Sequence, residues 1–153
     1  RQMYIRDRGD PVGSWLVVDE RTIAIPDRPG NRRADGWHNV LVNPHVGLLF
    51  LIPGRGDTLR VNGSARLLED APYADQLVVK GHRPLIILEV SVEQTFFHCS
   101  KAFLRSQLWK PETWNPDAAP SRAVIAQSLE RPDETVEEIE AYYEESRYSQ
   151  GLY

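Results

Sequence analysis

A mainly β fold, an antiparallel barrel with flanking helices and a helical tail, is what the sequence predicts, on three observations. Residues Thr58–Leu68 alternate without a break, Leu59, Val61, Gly63, Ala65 and Leu67 on one face against Thr58, Arg60, Asn62, Ser64 and Arg66 on the other. Further β-rich segments, Val46–Ile52 and Leu85–Phe97, stand on either side of it. Helical patterns are inserted among the strands instead of alternating regularly with them, and no GxGxxG or GxxxxGK[ST] loop is present. Both points favour an antiparallel barrel over a doubly wound sheet.

Taken in order, Met3–Asp7 and Ser14–Val18 read as short strands separated by a Gly9-Asp10-Pro11 turn, and Thr22–Ile25 follows the polar Asp19-Glu20-Arg21 turn. Ala34, Trp37, Val40 and Leu41 recur at helical spacing, which predicts a helix over about 32–42 with Asn31 as its N-cap, ending near Asn43-Pro44. The unbroken apolar run Val46–Ile52 suits a strand covered on both faces, and Pro53–Asp57 is a loop. Asp70 is placed to cap a short helix over Pro72–Val79, and Lys101–Leu108 reads as another. Beyond Pro111 the composition turns proline-rich and polar, with a helical stretch at Ser121–Leu129. Thr135 and Glu138 form a capping-box pattern ahead of an acidic helix whose narrow apolar stripe is Val136, Ile139 and Tyr143. The expected organisation is a barrel domain over 1–111 and a helical extension over 112–153 that packs on the barrel or on a partner subunit.

Composition limits the function. At 153 residues, 41% hydrophobic and 26% charged, the chain can bury a core without metal or disulfide support. A formal net charge of -4 argues against general nucleic-acid binding, which draws its affinity from summed positive charge. The single cysteine, Cys99, favours a reducing compartment. No apolar run is long enough to span a bilayer and no signal peptide opens the chain, so a cytoplasmic location without membrane contact is expected. The chain opens on Arg1, midway through a predicted strand, as expected where the first residues are missing.

The most informative chemistry lies at the predicted helix start. Arg32 and Arg33 in a first turn oppose the helix dipole at about 0.3–1 kcal/mol each unless an anion neutralises them. A phosphate reverses that sign, because free backbone amides, the dipole and two guanidinium forks converge on its oxygens. Gly30 permits close approach, and Pro26 and Pro29 stiffen the turn. The competing reading leaves both arginines solvated.

Elsewhere the nucleophile and metal readings are poor. His98 and Cys99 are adjacent, and on an extended segment they point to opposite faces, so they form no dyad. His38, His45, His82 and His98 lack HxxxH or HExxH spacing, and no metal is expected. In HCSKAFLRSQLW, Lys101, Arg105 and Trp109 fall one turn apart on a helix, a face that either holds a flat anionic cofactor or packs with snorkelling cations.

Residues Thr22–Leu68 together with HCSKAFLRSQLW resemble the pyridoxamine 5′-phosphate oxidase-like proteins of the FMN-binding split β-barrel superfamily, closest to a bacterial branch with IPDRPGNRR, NxxxNPxVGLLFLIPG, TLRVNG and HCxKAxxRSxLW. The resemblance implies a homodimer with FMN at the subunit interface and flavin redox chemistry on a small-molecule substrate. It places Asn31, Arg32 and Arg33 on the FMN phosphate, with Arg8 assisting and Arg6 as the weaker counterpart. It places backbone groups around Ala24, Ile25 and Pro26 near the ring, and Thr58 and Arg60 reaching the cofactor from the other subunit. Lys101 or Arg105 would lie near the substrate or ring, while catalytic residues stay unassigned. The arginine- and histidine-bearing C-terminal segment of the true oxidases is missing here, which argues against vitamin B6 oxidation. A non-enzymatic flavin- or haem-binding protein, for storage or sensing, is the alternative.

Overall fold

The computed structural model describes residues 14–28 and 34–149 together with Gly9. The predicted strand Met3–Asp7 and the residues Arg6, Arg8, Gly30, Asn31, Arg32 and Arg33 lie outside the described residues. Two compact units make up the chain, Arg1–Trp109 and Lys110–Tyr153.

In the first unit, β1 (Leu16–Asp19), β2 (Thr22–Pro26), β3 (His45–Phe50), β4 (Thr58–Leu68) and β5 (Ile87–His98) form an antiparallel sheet in the order β1-β2-β5-β4-β3, which is not closed among the described residues. The Asp19 carboxylate accepts from the Arg21 amide at 2.8 Å and so forms the expected turn between β1 and β2.

Register decides the two faces. Ile23, Val61, Ala65, Leu88 and Val90 share one face, and the helix α1 (Asp35–Val42) closes it with Trp37. On the opposite face, at the Ile87 end of β5, Ala71, Ala74 and Leu77 pack on Ala24 and Ile87. The short helix expected at 72–79 is a single 3-10 turn, Ala74–Leu77. Beside it Glu89 is buried, and both its oxygens are satisfied: Arg66 Nε donates to Oε1 at 2.6 Å, and the Tyr73 hydroxyl donates to Oε2. Burial and that neighbouring carboxylate push the Tyr73 phenol well above its ordinary range.

Three expectations are corrected. The helix α1 begins at Asp35 with Ala34 as N-cap, so Asn31 does not cap it, and its first turn carries an acidic residue in place of two arginines. Asp35 suits the dipole there. The run Val46–Ile52 is not covered on both faces: among the described residues β3 is a sheet edge in which exposed and half-buried residues alternate, and Leu49, Leu51 and Ile52 are about half exposed. The helix α2 (Lys101–Ser106) stops before Leu108 because Gln107 takes a left-handed conformation, φ 52°.

One irregularity shapes the sheet. Asn62 pairs with Gln94 and Gly63 with Val92, which leaves Glu93 as an extra residue on β5. Such a bulge bends its strand and resets which residues share a face beyond it.

In the second unit, α3 (Arg122–Leu129), α4 (Val136–Tyr143) and α5 (Glu145–Tyr148) are short helices, with Ala123, Ala126 and Ile139 buried between the first two. The predicted capping box is formed: the Glu138 amide donates to Thr135 Oγ1 at 3.2 Å, and the Thr135 amide donates to Glu138 Oε2 at 2.8 Å. Those Thr135 donors hold the Glu138 carboxyl below the usual carboxylate range. A depressed folded pKa means that its contribution is complete above the unfolded pKa and fades as pH falls through the folded one. Thr135→Ala, which removes the N-cap oxygen that accepts from the Glu138 amide, is expected to destabilise the helical unit by about 1 kcal/mol. Acid that protonates Glu138 should narrow the gap between the thermal melts of the two proteins without closing it, because the Glu138 amide donates to the Thr135 hydroxyl whatever the charge on the carboxyl.

Candidate functional site

The sequence-predicted site residues fall at two ends of the sheet. Ile25 and Pro26 pair with Leu88 and Ile87 at the start of β5. Thr58 and Arg60 pair with His98 and Phe96 at its end. Ile25, level with Leu88 and Leu67, and Arg60 therefore stand seven residues apart along β4, about 23 Å at the usual strand rise. One chain does not bring the two groups together.

At the first end, Ala24 and Pro26 are fully buried and Ile25 partly so, which leaves little side chain for a ligand. Among the described residues β1 pairs with β2 only as far as Ala24, so the backbone edge at Ile25 and Pro26 has no strand beyond it on that side. The helix α1 follows, and its N-cap residue, Ala34, makes no side-chain cap hydrogen bond.

At the second end the chain supplies cations. Thr58 is buried, and Arg60 stands two positions further along the same face. Arg60 Nε is buried and meets no hydrogen-bond acceptor. The helix α2 follows directly from β5, and its start rests on the loop before β4, where a Cβ on Gly56 would come within 2.6 Å of Ser100 Cβ. Lys101 and Arg105 on α2 are exposed and have no carboxylate partner among the described residues. Elsewhere Arg55 holds Asp57, Arg66 holds Glu89 and Arg83 holds Asp70 and Asp75.

Trp109 does not join Lys101 and Arg105 on a helix face. The left-handed turn at Gln107 carries it back, so that it stacks on Phe103 with ring centroids 6.0 Å apart. Its Nε1 donates to the Arg55 carbonyl at 2.5 Å. Trp109 is thus an anchor for the loop ahead of β4.

Sequence reasoning missed the neighbours of Arg60. Leu49 of β3 and Phe96 of β5 are its cross-strand partners, and the next rung is Gly47, Asn62 and Gln94. Alternation identified the polar face of β4, but strand partners are a matter of register between distant segments. No group of three or more His, Cys, Asp or Glu able to hold a metal occurs among the described residues, and no helix there is long and apolar enough to cross a membrane.

Residues 5–99 match the family described as pyridoxamine 5′-phosphate oxidase. The chain belongs to that family. Its open antiparallel sheet with flanking helices is accordingly a split β-barrel of the pyridoxamine 5′-phosphate oxidase kind. Among solved structures, HupZ of Group A Streptococcus is similar at 18% identity and TM-score 0.47, over 57% of this chain and 70% of that one. A histidine-to-alanine variant of HupZ is similar at 17% identity and TM-score 0.46, over 56% of this chain and 73% of that one. No curated protein matches the chain.

Proposed function

We propose that this member of the pyridoxamine 5′-phosphate oxidase family is a homodimeric, cytoplasmic FMN-dependent oxidoreductase acting on a small-molecule substrate, with one cofactor at each end of the subunit interface. The observation that carries the reading is the separation of Ile25 and Pro26 from Thr58 and Arg60 along β5, further than one flavin mononucleotide reaches. Two copies related by a two-fold axis would set the Thr58 end of one against the Ile25 end of the other. Exposed apolar side chains at the Thr58 end, among them Leu49, Phe96, Phe97 and Leu104, support burial against a second copy.

The residues present fit the cofactor's charge. Arg60 has a buried donor with no acceptor, and Lys101 and Arg105 are cations without carboxylates among the described residues. Arg8, Asn31, Arg32 and Arg33 would hold the phosphate, and the Ile25 and Pro26 backbone would border the ring. FMN, when bound, accepts a hydride from substrate and passes the electrons on; the protein positions it and tunes its charge. Cys99, exposed and without a partner cysteine, suits a reducing compartment.

Protein purified without added ligand is expected to be yellow, to run as a dimer, and to bleach when NADH, NADPH or a substrate reduces its flavin. A flavin that binds and is never reduced by any donor would make the protein a carrier or sensor. Colourless protein that does not take up added FMN would remove the proposal.

A further inference from the structure

Arg28 is the last described residue before the connection 29–33, and its side chain reaches a remote part of the chain. Its Nη2 donates to the Leu77 carbonyl at 2.8 Å and its Nη1 to the His82 carbonyl at 3.5 Å. The backbone beside it is tied as well. The Asp27 amide donates to the Ile86 carbonyl at 2.8 Å, just past the pairing of Pro26 with Ile87 that ends the β2–β5 ladder.

A strut positions its own end only where the far end is fixed. Leu77 is 1% exposed, packed with Ala24 and Ile87, and it closes the 3-10 turn Ala74–Leu77. Carbonyls at the end of a helical turn lack donors within the turn, so a guanidinium suits them. His82 is held by its own reversal: Lys80 and Gly81, at φ 48° and 80°, bring Val79 and His82 into mutual backbone hydrogen bonds. Arg83 fastens the same segment through Asp70 at 2.5 Å and Asp75 at 2.8 Å. At the other end of the connection, Ala34 is the N-cap of α1, and Trp37 seats that helix in the core.

We infer that Arg28 is a positioning residue: by bonding the Leu77 and His82 carbonyls it fixes where the chain leaves β2, and so sets the place of Arg32 and Arg33. A short connection samples fewer conformations the more firmly its ends are held, and a site ordered in advance loses less entropy when its ligand binds. For its effect on the cofactor phosphate, the inference rests on the proposed flavin reading.

The first test needs no ligand. Trypsin does not cleave an Arg–Pro bond, so Arg28→Met leaves the sites after Arg32 and Arg33 as the ones to watch in the full chain. Cleavage there should be roughly tenfold faster in the variant, as expected when a charge-assisted tether is lost. The second test titrates FMN and riboflavin. FMN should bind Arg28→Met roughly tenfold more weakly, with riboflavin nearly unchanged, because Ile25 and Pro26 stay in the β5 ladder. In a chain already carrying Arg32→Ala and Arg33→Ala, Arg28→Met should cost FMN nothing further, since a residue that acts through others has no effect once they are gone. Arg28→Lys keeps the charge without the fork, should shift both readouts in the same direction by less, and serves if Arg28→Met does not fold. A wild-type chain that takes up neither flavin removes the flavin reading and leaves the trypsin rates to decide the strut. The inference is overturned if those rates match the wild type, if both flavins weaken equally, or if the losses from Arg28→Met and the double variant add, which would make Arg28 a phosphate ligand itself.

Discussion

Replacing Arg32 and Arg33 together by alanine is expected to lower FMN affinity by about 3 kcal/mol or more, roughly a hundredfold, with little change in thermal stability. Each guanidinium would contribute charge-assisted hydrogen bonds to a phosphate, and such bonds are worth about 1.5–3 kcal/mol each. Both residues stand just ahead of α1, whose N-cap residue, Ala34, makes no side-chain cap hydrogen bond and whose dipole favours an anion. Fluorescence titration separates the parts of the cofactor. Riboflavin lacks the phosphate, so its affinity should be nearly the same in the double variant and the wild type, whereas FMN should lose its advantage over riboflavin. Equal losses for both ligands would mean general damage, and an unchanged FMN affinity would remove the phosphate from this part of the chain.

Gly63→Ala should give the largest loss of stability of any single substitution considered for the sheet. A Cβ at residue 63 would lie 2.1 Å from the Ser91 carbonyl oxygen and 3.0 Å from its carbon. Those atoms are backbone of β5, which is hydrogen-bonded to β4 on one side and to β2 on the other. Neither strand moves without disturbing a whole ladder. The third neighbour, Val90 Cγ1 at 3.3 Å, belongs to the core and blocks an escape in that direction. Relief requires the bulge at Glu93 to open, at a cost of about 3 kcal/mol, the upper part of the range for overpacked sites. A melting temperature lower by roughly 10 °C is expected. Gly9→Ala is the control, since a Cβ there meets nothing within 4 Å. A Gly63→Ala variant that melts with the control would show that the close approach at the bulge relaxes freely.

Several features were legible from residues alone because their causes are local. The period-two pattern of Thr58–Leu68 fixed both ends of β4 and sorted its side chains between two faces. The Thr135 and Glu138 spacing announced the α4 capping box, and Asp19-Glu20-Arg21 announced the hairpin turn. The candidate site was legible only in fragments. Arg60, Lys101 and Arg105 could be named as cations, while Trp109 was assigned to a helix face that Gln107 abolishes with one left-handed residue.

Local sequence, then, was sufficient for the strands, for the polar identity of the β4 face and for membership in a β-rich class. What covers each face was a matter of assembly. Alternation says that Arg60 and Leu49 point away from their neighbours in the chain; it does not say that β3 is the outermost strand among the described residues, or that Phe96 stands beside Arg60. The same holds for Gly63, whose lack of a side chain is explained by Ser91, twenty-eight residues onward on another strand. Side-chain direction is set within two or three residues by backbone geometry, whereas burial, partners and the distance between Ile25 and Arg60 follow from pairings between remote segments, which no window of sequence contains.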